Sequence, residues 1–168
     1  FKKRLGRCRR HSDPGWGTTR ERNLKKALFL STGSGETEKY GNSLECIGGW
    51  EVGWLRYDEP EVTDKTLFAA ARSHAPDLLV YVGSRWGPQI STYGLAQLNS
   101  GVAPMVHLCS DGADPPWHDL LREYHNAGAF ALQVTIDGAQ KWPLADKPRA
   151  MSALTPINPA YFGQSIPH

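Results

Sequence analysis

The run Asp77-Leu-Leu-Val-Tyr-Val-Gly83 constrains the fold more than any other stretch of the chain. Its apolar residues follow one another without a polar alternate, so a strand made from them is buried on both faces. Sheets covered on both faces are characteristically parallel, and parallel strands need long crossovers, usually helices. The run therefore predicts an α/β sandwich, provided that its neighbours alternate between strand and helix patterns.

They do. Ala27-Leu-Phe-Leu30 reads as a first strand, and a helix follows from about Glu36, with Tyr40, Leu44 and Ile47 at helical spacing and Gly48-Gly49 as its stop. Trp50 to Tyr57 reads as a second strand, and Thr63 or Asp64 caps a second helix that carries Leu67, Phe68 and Ala71. Beyond the opening run, Ser91 caps a helix from Thr92 that ends at Gly101, and Pro104 to Cys109 forms a fourth strand. Pro116 suits the first turn of the next helix, whose apolar side is Leu120, Leu121 and Tyr124 and whose end is Gly128. Phe130 to Ile136 forms a fifth strand and Met151 to Ile157 a last short one. The pattern predicts one doubly wound, Rossmann-like parallel sheet of five to six strands, with a flavodoxin-like strand order as the alternative arrangement.

Charge divides the chain. Residues 1–26 hold ten Lys or Arg against Asp13 and Glu21, a net +8, whereas the remainder carries −6. We therefore expect a basic arm over 1–26, an α/β domain over 27–153 and an extended, proline-punctuated tail over 154–168, which includes Leu154-Thr-Pro-Ile-Asn-Pro159. The arm suits an acidic partner, nucleic acid or an anionic membrane surface, or it packs as a solvated leader on acidic protein. No apolar run reaches the ~18 residues of a membrane span. Three scattered cysteines, Cys8, Cys46 and Cys109, argue against a disulfide framework and for a reducing, cytoplasmic setting.

Loops that leave the carboxyl ends of parallel strands are where α/β sheets bind ligands. Four of them carry chemistry. Thr32-Gly-Ser-Gly-Glu-Thr37 combines glycines that allow close backbone approach with a helix start, which marks Gly33, Ser34, Gly35 and Glu36 as binding candidates. The loop has neither GxGxxG spacing nor the Gly-Lys pair of a P-loop. Gly83-Ser-Arg-Trp-Gly-Pro88 offers Ser84, the Arg85 guanidinium for a phosphate or carboxylate, and Trp86 for stacking. Met105-Val-His-Leu-Cys-Ser-Asp-Gly-Ala-Asp-Pro-Pro-Trp117 gathers Ser110, Asp111 and Asp114 in a proline-stiffened loop, with Asp111 placed to act as a general base or to bind a hydroxyl. Asp114 also suits a helix cap. Asp137 in Thr135-Ile-Asp-Gly138 repeats the theme after the fifth strand. His107, Cys109 and Asp111 alternate toward one side of their strand, but with Asp114 and His118 they match no metal-ligand spacing, so no metal site is assigned and His107 is expected to be a hydrogen-bonded core histidine.

Two resemblances add to this reading. Ser31, Thr32, Ser34 and Thr37 resemble the hydroxyl-rich phosphate loop of flavodoxins, which implies FMN as a cofactor. The series Pro76 to Gly83, His107 to Asp111, Asp114 to Trp117, Ile136 to Gly138 and Leu154 to Pro159 resembles the N-terminal half of bacterial GT-B glycosyltransferase-like proteins, including relatives of the spore maturation glycosyltransferases. That likeness implies an acceptor-side domain, a nucleotide-sugar co-substrate and no resident cofactor. It also implies a sugar acceptor and a second Rossmann-like domain or subunit that holds the donor. By the same analogy Asp111 is the base, with the candidates after the first, third, fourth and fifth strands facing the cleft. A third alternative is an interaction module that docks through the basic arm.

Overall fold

A computed structural model of the 168-residue chain describes residues 24–32, 35–83, 89–109, 112, 115–136 and 142–153. Strands and helices alternate as β1 (Lys25–Ser31), α1 (Gly35–Ile47), β2 (Trp50–Arg56), α2 (Asp64–Ser73), β3 (Leu78–Val82), α3 (Thr92–Gly101), β4 (Met105–Cys109), α4 (Pro115–Asn126), β5 (Leu132–Thr135) and β6 (Ala150–Ser152). The strands form one sheet in the order β2-β1-β3-β4-β5-β6, and every neighbouring pair is parallel. This is the expected doubly wound architecture, and the first five strands take the flavodoxin-like of the two orders.

Local chemistry sets the element boundaries. The Thr63 hydroxyl accepts from the Thr66 amide at 3.3 Å and the Thr63 amide donates to Thr66 Oγ1 at 2.9 Å, a reciprocal cap that starts α2. Ser91 Oγ accepts from the Gly94 amide at 2.9 Å and starts α3. Gly48 and Gly49 both take φ +83°, a backbone state costly for any other residue, which lets α1 stop and β2 begin at once. β1 begins at Lys25, so the last two lysines of the basic stretch are strand residues. β5 is shorter than its apolar pattern suggests, because Phe130 leaves the strand to pack among aromatic rings. Beyond β6, the expected continuation to Ile157 lies outside the described residues.

The two sheet faces are clothed differently. Leu28, Leu30, Leu79, Tyr81 and Met105 face α2, α3 and α4, where they meet Leu67, Ala71, Leu95, Leu98 and Tyr124. Ala27, Phe29, Val80 and Val82 point the other way, toward Tyr40 and Leu44 of α1. The approach of α1 is close: a Cβ on Gly41 would lie 2.3 Å from Trp54 Cη2, so any larger residue there forces the indole or the helix to move. The β5–β6 connection brings Trp142 and Leu144 against Trp117 and Leu121 of α4, on the side that is already covered. Among the described residues α1 is thus the one helix on its face.

One expectation fails outside the sheet. Cys46 in α1 is disulfide-bonded, because three cysteines still permit one pair, whereas Cys109 is buried beneath α4.

Candidate functional site at the carboxyl edge of the sheet

Strand register brings the ends of β1, β3, β4 and β5 to one edge: Leu30 lies beside Tyr81, Val82 beside Leu108, and Cys109 beside Thr135. Successive connections part on either side of β1, which makes the β1/β3 boundary the topological switch point. Tyr57, just past β2, closes the underside of this boundary. Its amide donates to the Ser31 carbonyl at 3.1 Å, its hydroxyl donates to the Val82 carbonyl at 3.4 Å, and its ring lies 5.6 Å from that of Tyr81.

Beneath the edge sits a sealed aromatic cluster. The His107 ring stacks 4.7 Å from Phe130 and lies 5.4 Å from Tyr81, with Tyr124 edge-on at 5.9 Å. His107 is 0% exposed, and neither ring nitrogen has a hydrogen-bond partner. Burial alone pushes its pKa down from 6.5 to about 3. It is a core histidine as expected, but not a hydrogen-bonded one, packed as it is against the rings of Tyr81, Tyr124 and Phe130. Burial also raises Tyr81 well above its ordinary value and pushes Tyr124 up to about 12. The Tyr81 hydroxyl donates to Gln89 Oε1 at 3.1 Å. A Cβ on Gly83 would come within 3.3 Å of His107 Nε2, so the chain crosses directly over the imidazole as β3 ends. His107 is thus neutral above about pH 3.

Charge at the described edge is committed locally. Arg56 Nη2 lies 2.8 Å from Asp58 Oδ2, its Nε lies 3.0 Å from Asp58 Oδ1, and Glu59 is 3.8 Å away. The hydrogen bond between them raises Arg56, which is exposed, and lowers Asp58, which is partly buried.

Of the sequence candidates, Gly35 and Glu36 open α1, which places them at a helix start as expected. Gly33, Ser34, Ser84, Arg85, Trp86, Ser110, Asp111, Asp114 and Asp137 lie outside the described residues. The strands that precede them end at one edge of the sheet. Sequence reasoning placed Tyr57, Tyr124 and Phe130 on their elements without marking them as neighbours of this edge, and gave Trp142 no role. The aromatic at the end of β2 was a usable signal for Tyr57, but nothing local marks Phe130 as a ring partner of His107. No cluster of three His, Cys, Asp or Glu occurs among the described residues. No described helix is long and apolar enough to cross a membrane.

A parallel sheet in the order 2-1-3-4-5, with helices divided one against three, defines the flavodoxin-like class that includes signal receiver domains. Neither a family model nor a curated protein matches the chain. Among solved structures it is similar to the signal receiver domain of a modulated diguanylate cyclase from Desulfovibrio desulfuricans G20, described as an example of alternate folding. The TM-score is 0.51 at 16% identity, over 67% of this chain and 82% of that one. At this identity the likeness is one of fold. It nevertheless overturns the acceptor-side glycosyltransferase reading, together with the transferase, GT-B and nucleotide-sugar assignments. The neighbour is a receiver domain, and no comparison carries sugar transfer.

Proposed function

We propose that this chain is an interaction module that packs against a second folded unit, a domain or a subunit, through the part of its sheet that no described helix covers. The observation that carries this reading is the state of the α1-side residues on β4, β5 and β6. By register and alternation these are Val106 and Leu108, Leu132 and Val134, and Met151. Val134 is buried, Val106, Leu108 and Leu132 are half-buried, and Met151 is 47% exposed. All are apolar and none is charged. Parallel sheets are stable when both faces are covered, and an apolar strip of this kind favours an apolar partner surface. The fold likeness to the signal receiver domain of a diguanylate cyclase agrees with a module that works beside another unit.

Two measurements on the whole chain test this. A hydrophobic dye is expected to bind the native protein, with the signal reduced severalfold by Met151→Asp and Leu132→Asp. Sedimentation at rising concentration is expected to show self-association weakened by the same substitutions if the partner is a second copy. A native chain that binds no dye and sediments identically with or without the substitutions overturns the proposal.

A further inference from the structure

The amino edge of the sheet, opposite the loops considered above, holds a cleft of about 90 Å³. It opens between β1, β2 and the connection from α2 to β3, and is lined by Lys26, Leu28, Glu51, Gly53, His74 and Pro76. Parallel register sets Lys26 beside Glu51 and Leu28 beside Gly53. Alternation puts all four on the face that carries Leu28, so opposite charges flank an apolar floor. Gly53 helps to make the hollow: a Cβ there would already lie 3.3 Å from Leu28 Cδ1. The wall is pinned to the floor through the backbone. The Lys26 amide donates to Asp77 Oδ2 at 2.7 Å, and the Asp77 amide donates back to the Lys26 carbonyl at 2.8 Å. Between the wall residues His74 and Pro76, Ala75 is held at φ +46°, a strained state for a residue with a Cβ.

The lining selects the ligand. Lys25, the neighbour of Lys26, is engaged over the Trp50 ring at 5.8 Å. Lys26 and Glu51, by contrast, are neighbours in register without an ion pair between them, among the described residues. A lone anion in the cleft would be repelled by Glu51, and a lone cation by Lys26. A molecule with a carboxylate and an ammonium group a few bonds apart meets both: Lys26 takes the carboxylate and Glu51 the ammonium. The His74 ring adds a polar contact, while Leu28 and Pro76 bound the space left for a short apolar substituent. The volume admits several water molecules or one small solute, and nothing of nucleotide size. We propose that this cleft binds a small zwitterion, a free α-amino acid with a short side chain, held between Lys26 and Glu51. This proposal is independent of the open sheet face.

L-Alanine is a suitable probe, read by the backbone amide resonances of the 15N-labelled whole chain. The Leu28, Gly53 and His74 signals are expected to move saturably, while those of Leu108 and Thr135 near the opposite edge stay fixed. Acetate and methylammonium each carry half of the ligand's charge, and each is expected to bind at least about tenfold more weakly than alanine. Lys26→Met and Glu51→Gln, both at exposed positions, are expected to weaken alanine binding by about the same factor. The wild-type titrations need no variant to fold. Unmoved Leu28, Gly53 and His74 signals up to the solubility limit of alanine overturn the proposal. So does acetate or methylammonium that binds as tightly as alanine, or an alanine affinity that both substitutions leave unchanged.

Discussion

His107 shows what a single polar residue costs when it is sealed among aromatic rings. Its folded-state pKa of about 3 lies below the ordinary 6.5, so the unfolded chain takes up the proton first as the pH falls. The stability tied to this residue is whole above pH 6.5 and drains between 6.5 and about 3, by roughly 5 kcal/mol at most. Tyr124 works on the opposite flank: raised from 10.0 to about 12, it makes the fold lose stability as the pH climbs through that interval. Urea unfolding across the pH range should show both slopes, and His107→Phe should flatten the acid one alone. An unchanged acid slope in that variant would assign acid sensitivity to other groups. That His107 and Cys109 share one side was legible from the alternation of His107, Cys109 and Asp111. Its lack of partners was not, because Tyr81, Tyr124 and Phe130 come from three other segments.

At the scale of elements, the contact between α1 and β2 turns on one missing side chain. Gly41→Ala would drive a methyl into the Trp54 ring at 2.3–2.4 Å, and into Val52 Cγ1 at 3.1 Å. The expected loss is about 1–3 kcal/mol in denaturant unfolding. Trp54→Leu in the same chain should return part of it, so that the two changes are non-additive by about 0.5 kcal/mol or more. Additive losses would mean that α1 simply shifts. Helix starts were readable in the sequence because caps act locally: Thr63 and Ser91 each satisfy an amide three residues on. Strand ends were less so. Phe130 belongs by composition to β5 but is claimed by the His107 ring, a contact that no window of neighbouring residues reveals.

For the molecule as a whole, the unequal clothing of the sheet predicts unequal mutational costs. Leu79, fully buried between β1 and β4 neighbours under α2 and α3, should lose about 2–5 kcal/mol on Leu79→Ala. Met151→Ala on the open strip should cost about 0.5 kcal/mol or less. Comparable losses in thermal unfolding would show that the strip is already covered within the chain. The α/β class followed from the Leu78–Val82 run and the alternation around it. Strand order did not, since periodicity speaks for each segment alone and pairing depends on contacts far apart in the chain. Most of the loop residues singled out as a site fall outside the described structure, so the chemistry expected of Asp111 gains no geometric support.

The place of β1 between β2 and β3 also bears on how the protein is made. Ala27 to Leu30 find one neighbour in Val52 to Leu55, soon after that segment is synthesised, but the other comes only with Leu78 to Tyr81. Until then the most apolar stretch near the N-terminus has an open hydrogen-bonding edge, and long-range parallel pairing is slow to close. In a growing chain paused before Val82, Leu28 and Leu30 would still lack the β3 neighbours that complete their burial.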